Sequence, residues 1–302
     1  MRRILPERGF TLLELVVSIV VVGIIIGTVI YFVTPLRQAN DIAVRAELTD
    51  IADNALQRIG REVRLALPNS VRVTSSAGVA YLEFIAVRTA GRYRASGGGA
   101  AGGTNCPNDD SSLTSPDNDQ LSFDLAGGDT CFKTIGKLPD TSTVVTNSDR
   151  VVLNNFGPGY AGQDAYQTAG TLNWVTLAGL DTSEAGRDRI SFAAKIFQRA
   201  LHDSPGKRFY IVSGPVSYAC DVAAGTLRRY WGYPATASQP TPPGGTSALI
   251  AERVSACSFE YTPAVTGQYG LLTLQLQLSK ARFDGSLETV GLYDTVHVNN
   301  TP

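Results

Sequence analysis

Glu14 is the residue whose chemistry makes the clearest demand on its surroundings. It stands directly before Leu15–Val33, a run of 19 residues without a charged side chain. A carboxylate at the centre of a bilayer costs roughly 3 kcal/mol, and less near the interface. After Arg8 the next basic residue is Arg37, so the segment itself offers no partner. Either the side chain reaches into the lipid headgroups, or its partner comes from another chain or a new chain terminus.

The apolar run has the length of a membrane span. As a helix, 19 residues cover roughly 28 Å, close to the hydrocarbon thickness of a bilayer. Arg2, Arg3 and Arg8 precede the run and predict a cytoplasmic N-terminus, with the rest of the chain outside. A cleaved secretory signal is disfavoured, because the run is long and no Ala-x-Ala triplet occurs in the first seventy residues.

The segment from Arg8 to Glu14, read as Arg-Gly-Phe-Thr-Leu-Leu-Glu, resembles the class III signal of type IV pilins and type II secretion pseudopilins. The resemblance implies that a prepilin peptidase cuts after Gly9 and N-methylates Phe10. It also implies that Glu14 pairs with the terminal amine of Phe10 in a neighbouring subunit. In lipid such a pair offsets two charges that are each costly alone.

Other features of the N-terminal helix bear on packing. Gly23 and Gly27 form a GxxxG pattern that permits close approach of another helix, although glycine is common in membrane helices. Pro35 is expected to kink or loosen the helix. We therefore divide the chain into a leader (1–9), a transmembrane helix (10–35), an amphipathic stem helix (36–67) and a periplasmic β-rich domain (68–302).

The stem and the domain follow from hydrophobic periodicity. Between 48 and 67 apolar residues recur with a period near 3.6, as on one face of a helix. Strands are indicated at 79–87, 208–212, 216–221, 226–231, 254–261, 272–279 and 287–298, with a strand favoured over a helix at 190–201. These elements indicate an α+β fold class, and the resemblance to the pilins implies its type IV pilin-like form, a long N-terminal helix packed on an antiparallel β-sheet domain. In the C-terminal half, a further resemblance rests on Arg208–Tyr218, Leu227–Tyr230 and the ending His297–Asn300. These segments resemble the large minor pilins of the PilW kind, most closely those of the MshO group of mannose-sensitive haemagglutinin pili.

Four cysteines in an oxidising periplasm allow three disulfide pairings. We favour neighbour pairing, Cys106–Cys131 and Cys220–Cys257, because Cys220 and Cys257 both lie in strand candidates that could be adjacent. The spacing of these cysteines does not suit zinc. The aspartates of the 105–120 loop could bind calcium, but the EF-hand pattern is absent and a solvated loop is favoured. No metal or other cofactor is expected.

Composition and motifs exclude other classes of function. A net charge of -1 argues against a nucleic-acid partner held by bulk charge. No sequence motif with a catalytic mechanism occurs, so an enzyme is not expected. The expected role is a minor pilin that primes or caps a type IV pilus, anchored by one span in the inner membrane and incorporated into the fibre. Its expected partners are major and minor pilins, the prepilin peptidase, the inner-membrane assembly platform and lipid. A J-like minor pseudopilin of type II secretion and a pilus-tip adhesin remain alternatives.

Overall fold

The computed structural model describes residues 11–95, 106, 120–263, 268–282 and 284–302, and only the backbone of 33–38 and 40. In chain order the elements are α1 (Leu12–Arg64), β1 (Arg72–Ser76), β2 (Val79–Arg92), β3 (Asp129–Lys133), β4 (Arg150–Leu153), β5 (Trp174–Asp181), β6 (Arg189–Lys195), α2 (Arg199–His202), β7 (Arg208–Asp221), β8 (Thr226–Trp231), β9 (Thr246–Glu252), β10 (Val254–Thr262), β11 (Tyr269–Ala281) and β12 (Leu287–Asn299). A long apolar-to-amphipathic helix is thus followed by antiparallel sheets, an α+β arrangement.

Helix α1 differs from the sequence expectation at its end. Pro35 lies inside the helix, which continues through the boundary drawn between 35 and 36. Proline removes one backbone hydrogen bond, and the turns on both sides remain helical. The helix ends at Arg64 rather than at 67, because Ala66 forms a bridge with Ala86 and the amide of Leu67 donates to the carbonyl of Ile85.

The helix also carries the apolar stripe expected from its periodicity. Its fully or almost fully buried residues are Leu48, Ala52, Ala55, Leu56, Ile59 and Val63. They recur every three or four positions, as required for one face of an α-helix. Gly60 is buried as well, and a side chain there would come within 3.3 Å of Val296 on β12. Glycine at this position therefore allows the helix backbone to approach the strand closely.

Two antiparallel sheets form the β structure. The nine-stranded sheet has the order β1-β2-β7-β4-β5-β6-β3, with β8 pairing both β7 and β9, and the second sheet has the order β10-β11-β12. The central strand β7 pairs with β2 along its length. On its other edge, β4 covers residues 209–212 and β8 covers residues 216–221. The sequence indicated two strands here, whereas the structure has a single one with Gly214 and Pro215 between the two pairing partners.

The strand predicted at 272–279 is confirmed as part of β11, and its side chains alternate between the two faces. Leu272, Leu274, Leu276 and Leu278 are all buried, while Gln275 between them is exposed. The turn expected at Asp284-Gly285 joins β11 to β12. The strand favoured at 190–201 is correct only to Lys195; residues 199–202 form the short helix α2. There the ring of buried His202 accepts a hydrogen bond from the amide of Gln198 and closes the turn.

The chain divides into two compact units. One contains α1 as far as Asp50 together with residues 279–290, and the other contains residues 51–278 and 291–302. In the second unit, aromatic and aliphatic side chains of the large sheet form a core, in which the Phe132 ring lies 5.0 Å from Phe209 and 6.0 Å from Phe192. A second cluster surrounds the fully buried Tyr166 and includes Leu67 and Val212.

Candidate functional site on the exposed N-terminal helix

The start of α1 is capped by a side chain of its own sequence. The hydroxyl of Thr11 accepts a hydrogen bond of 3.3 Å from the amide of Glu14. The backbone carbonyl of Thr11 accepts from the amides of Glu14 and Leu15. Threonine at an N-cap with glutamate three residues later is the sequence of a capping box. Thr11 and Glu14 therefore belong to one local structure that begins the helix directly after the expected cleavage site.

The first part of α1 is apolar and fully accessible. Residues Leu12–Phe32 have a mean hydropathy of 2.8, and none of this segment is buried within the chain. Its aliphatic side chains are between roughly half and four-fifths exposed, for example Leu12 at 82% and Ile24 at 62%. A helix of this length and composition can cross a bilayer. The segment therefore requires an apolar environment from outside the described chain, either lipid or other helices.

The hydroxyl groups of Ser18 and Thr28 inside this segment form their hydrogen bonds within the helix. Ser18 donates to the carbonyl of Glu14 at 2.7 Å, and Thr28 donates to the carbonyls of Ile24 and Ile25 at 2.9 Å. The carboxylate of Glu14 differs from them, because it forms no hydrogen bond or ion pair with any residue that the structure describes. Of these polar side chains, Glu14 is thus the one that still needs a partner.

Gly23 and Gly27 lie on an open part of the helix surface. A Cβ atom added at either position would meet no described atom within 4 Å. The two glycines are one turn apart and so lie on the same face. The arrangement permits close helix packing there, and the role assigned to these glycines and to Pro35 stays a prediction.

An ionic cluster holds the β11–β12 turn against α1 within the first unit. Glu288 is 5% exposed and pairs with Arg282 of the same hairpin and with Arg45 of the helix, the latter at 3.8 Å. Lys280 binds Glu47 at 2.5 Å. Sequence reasoning identified the turn but missed this contact, because the partners are far apart in the chain and nothing in their local pattern links them.

In the second unit, which contains α1 from Ile51 onward, Glu62 joins the helix to the large sheet. Its carboxylate accepts a hydrogen bond of 2.9 Å from Arg229 on β8 and one of 3.3 Å from Arg58 one turn earlier. Tyr218 on β7 lies near the same carboxylate, and burial raises the pKa of its hydroxyl. The ion pair between Arg229 and Glu62 thus joins the C-terminal part of α1 to the large sheet.

Both disulfides join the cysteines that were expected to pair. Cys106 is bonded to Cys131 in β3, and Cys220 in β7 is bonded to Cys257 in β10. The second bond links the nine-stranded sheet to the three-stranded sheet. No cysteine remains free.

The remaining predicted site residues are only partly covered. Gly9 and Phe10 lie outside the described residues, as does most of the 105–120 loop in which calcium binding was considered. Among the described residues, no group of His, Cys, Asp and Glu side chains could hold a metal ion. His202 is completely buried, its Nε2 donates to the carbonyl of Gly162 at 2.8 Å, and burial lowers its pKa. These contacts make it a neutral structural histidine.

Comparison with known proteins bears on the N-terminal segment. Residues 5–30 match the family model described as the prokaryotic N-terminal methylation motif. No similar curated protein and no similar solved structure was found. The matched range includes the expected cleavage site, Thr11, Glu14 and the two exposed glycines. The chain therefore carries, at its N-terminus, the methylation motif of type IV pilin-like proteins.

Proposed function

We propose that this protein is a minor pilin that helps to prime or cap a type IV pilus. A prepilin peptidase removes residues 1–9 and methylates Phe10. The apolar helix anchors the protein in the inner membrane, and its β-rich domain lies in the periplasm. The protein acts through assembly with other pilins and has no enzymatic role.

The carboxylate of Glu14, which has no partner among the residues that the structure describes, is the observation that carries this proposal. Cleavage after Gly9 creates an ammonium group on Phe10, four residues before Glu14. Thr11, which caps the helix, directly follows this new terminus in the chain, so a subunit presents a positive and a negative group at one end of its apolar helix. A neighbour shifted along the axis by about one turn, or about 5–6 Å, brings its ammonium to this carboxylate. The pair then favours one stagger between subunits.

Replacing Glu14 tests the proposal, and Ser18 provides a matched control. Glu14→Ala leaves the partner's ammonium unpaired in lipid, at a cost of roughly 3 kcal/mol or a hundredfold loss in association. Ser18→Ala removes a polar group one turn further on the same face, but that hydroxyl bonds only the helix carbonyl of Glu14. We expect Glu14→Ala to be processed normally and to lose co-purification with the other minor pilins, and Ser18→Ala to behave like the wild type.

The host phenotype separates the pilus from other pilin-like assemblies. Loss of surface fibres in the deletion strain, restored by the wild type but not by Glu14→Ala, supports the proposed role. Normal piliation with defective type II secretion would instead identify a pseudopilin. Normal fibres that do not attach to a surface would identify an adhesin. Co-purification of Glu14→Ala at the wild-type level would contradict the charge-pair argument in all three cases.

A further inference from the structure

Two arginines line a small depression at one end of the β2–β7 pair in the second unit. The depression has a volume of about 330 Å³ and is lined by Ala90, Gly91, Arg92, Arg208, Tyr210 and Asn299. None of these side chains is acidic. Arg92 is the last residue of β2 and Arg208 is the first residue of β7. The backbone of both arginines is therefore held by paired strands and not by a loop.

The register of the sheet places the two like charges directly opposite each other. Arg92 and Arg208 are cross-strand partners in the antiparallel ladder. Both side chains approach Gly206: Arg92 Nε donates to its carbonyl at 2.9 Å, and Arg208 Nε would lie 3.2 Å from a Cβ atom at that position. Like charges opposite each other destabilise an antiparallel pair. An anion between the two groups removes this cost.

The described part of the chain supplies no such anion. Neither Arg92 nor Arg208 forms an ion pair with a described carboxylate. The nearby Asp203 is already engaged, since it binds Lys207 at 2.6 Å and accepts a hydrogen bond of 2.7 Å from Tyr93. Asp203 therefore has little remaining capacity to neutralise Arg92 or Arg208.

The other polar groups of the depression are Tyr210 and Asn299. The hydroxyl of Tyr210 donates to the carbonyl of Thr301 at 3.4 Å, and burial raises its pKa, although Arg208 acts in the opposite direction. The side-chain oxygen of Asn299 accepts from the amide of Thr301 at 2.9 Å, which leaves its NH₂ group for another acceptor. The donors left for a ligand are two guanidinium groups and one amide, and they suit a group with several acceptor oxygens.

We propose that this depression binds the oxyanion of a small solute, namely a phosphate group or the carboxylate of an acidic sugar. Two guanidinium groups provide paired N–H donors that match the oxygens of either anion. The volume accommodates one such group with part of one sugar ring. The site lies on the second unit, and its proposal is independent of the assembly role proposed above.

Binding is tested on the full chain in a neutral detergent, with inorganic phosphate and glucuronate as probes. Thermal melts and calorimetric titrations are run at constant ionic strength set with chloride, with glucose as the uncharged comparison. We expect saturable binding of at least one anion and none of glucose. Arg92→Gln and Arg208→Gln should each weaken that binding about tenfold or more. Arg61→Gln, which removes the same charge from an exposed position on α1, should leave it unchanged.

The identity of the effective probe distinguishes the two sources of the anion. Binding of phosphate alone assigns the site to phosphorylated ligands, and binding of glucuronate alone assigns it to acidic sugars. Melting in chloride shows whether each variant is folded, and we expect the two site variants to melt no lower than the wild type, because they remove a like-charge contact. Absence of saturable binding by the wild type, or equal binding by wild type and both site variants, would overturn the proposal.

Discussion

The disulfide between Cys220 and Cys257 allows a quantitative prediction, because it is the covalent link between the two sheets. The bonded residues are separated by 37 positions in the chain. In the chain-entropy treatment, closing a loop of this size stabilises the folded state by about 4 kcal/mol. Cys220 is also completely buried, so its replacement by alanine adds a small packing loss. We expect the double variant Cys220→Ala, Cys257→Ala to lose about 4 kcal/mol of unfolding free energy.

Urea unfolding in a neutral detergent measures this loss. The two tryptophans of the chain, Trp174 and Trp231, both lie in the second unit, so their fluorescence reports its unfolding. The pair Cys106→Ala, Cys131→Ala serves as the comparison, with a separation of 25 positions and an expected loss of about 3.5 kcal/mol. A Cys220–Cys257 variant within about 0.5 kcal/mol of the wild type would refute the reasoning that this bond constrains the unfolded chain.

Three further outcomes are expected. Burial lowers the pKa of His202 below its unfolded value of about 6.5. The stability that depends on neutral His202 is therefore present above that pH and is lost as the pH falls through the folded pKa. His202→Gln should remove this pH dependence in urea titrations, and an unchanged profile would contradict the assignment. Leu276→Ala on the buried face of β11 should cost about 2–5 kcal/mol of unfolding free energy, whereas Gln275→Ala on the exposed face should cost less than about 0.5 kcal/mol. Similar losses in the two variants would argue against the burial of the leucine face. Glu288→Gln should raise hydrogen exchange in residues 41–48 of α1, since it removes the carboxylate that pairs with Arg45 and Arg282, and unchanged exchange would show that the hairpin does not hold the helix.

Parts of this fold could be predicted because their signals are local. The apolar run that begins at Leu15 and the alternating leucines of β11 each repeat with the period of one element. The pairing of Cys220 with Cys257 was favoured among three possible pairings because both were assigned to strands, and the structure contains this bond. Pro35 lies inside α1, because the cost of a proline is local and the turns on both sides suffice to continue the helix.

Other parts depend on contacts that no local pattern contains. Strands β3 and β4 have only 5 and 4 residues and show no clear alternation. The ion pairs of Glu288 and the opposition of Arg92 and Arg208 arise only when the chain folds, because they join residues that are distant in sequence. The proposed assembly site is a different case, because its motif could be identified from Gly9, Phe10 and Glu14, whereas the partner that we propose for Glu14 belongs to another subunit.

Mass spectrometry of the mature protein, isolated from its native membrane, is the most direct test of the central claim. If the segment that matches the methylation motif is processed as proposed, the chain begins at Phe10 and carries one methyl group on its terminal amine. An intact chain beginning at Met1, or a chain cut beyond Val33, would show that this N-terminus is not that of a processed pilin and would contradict the account.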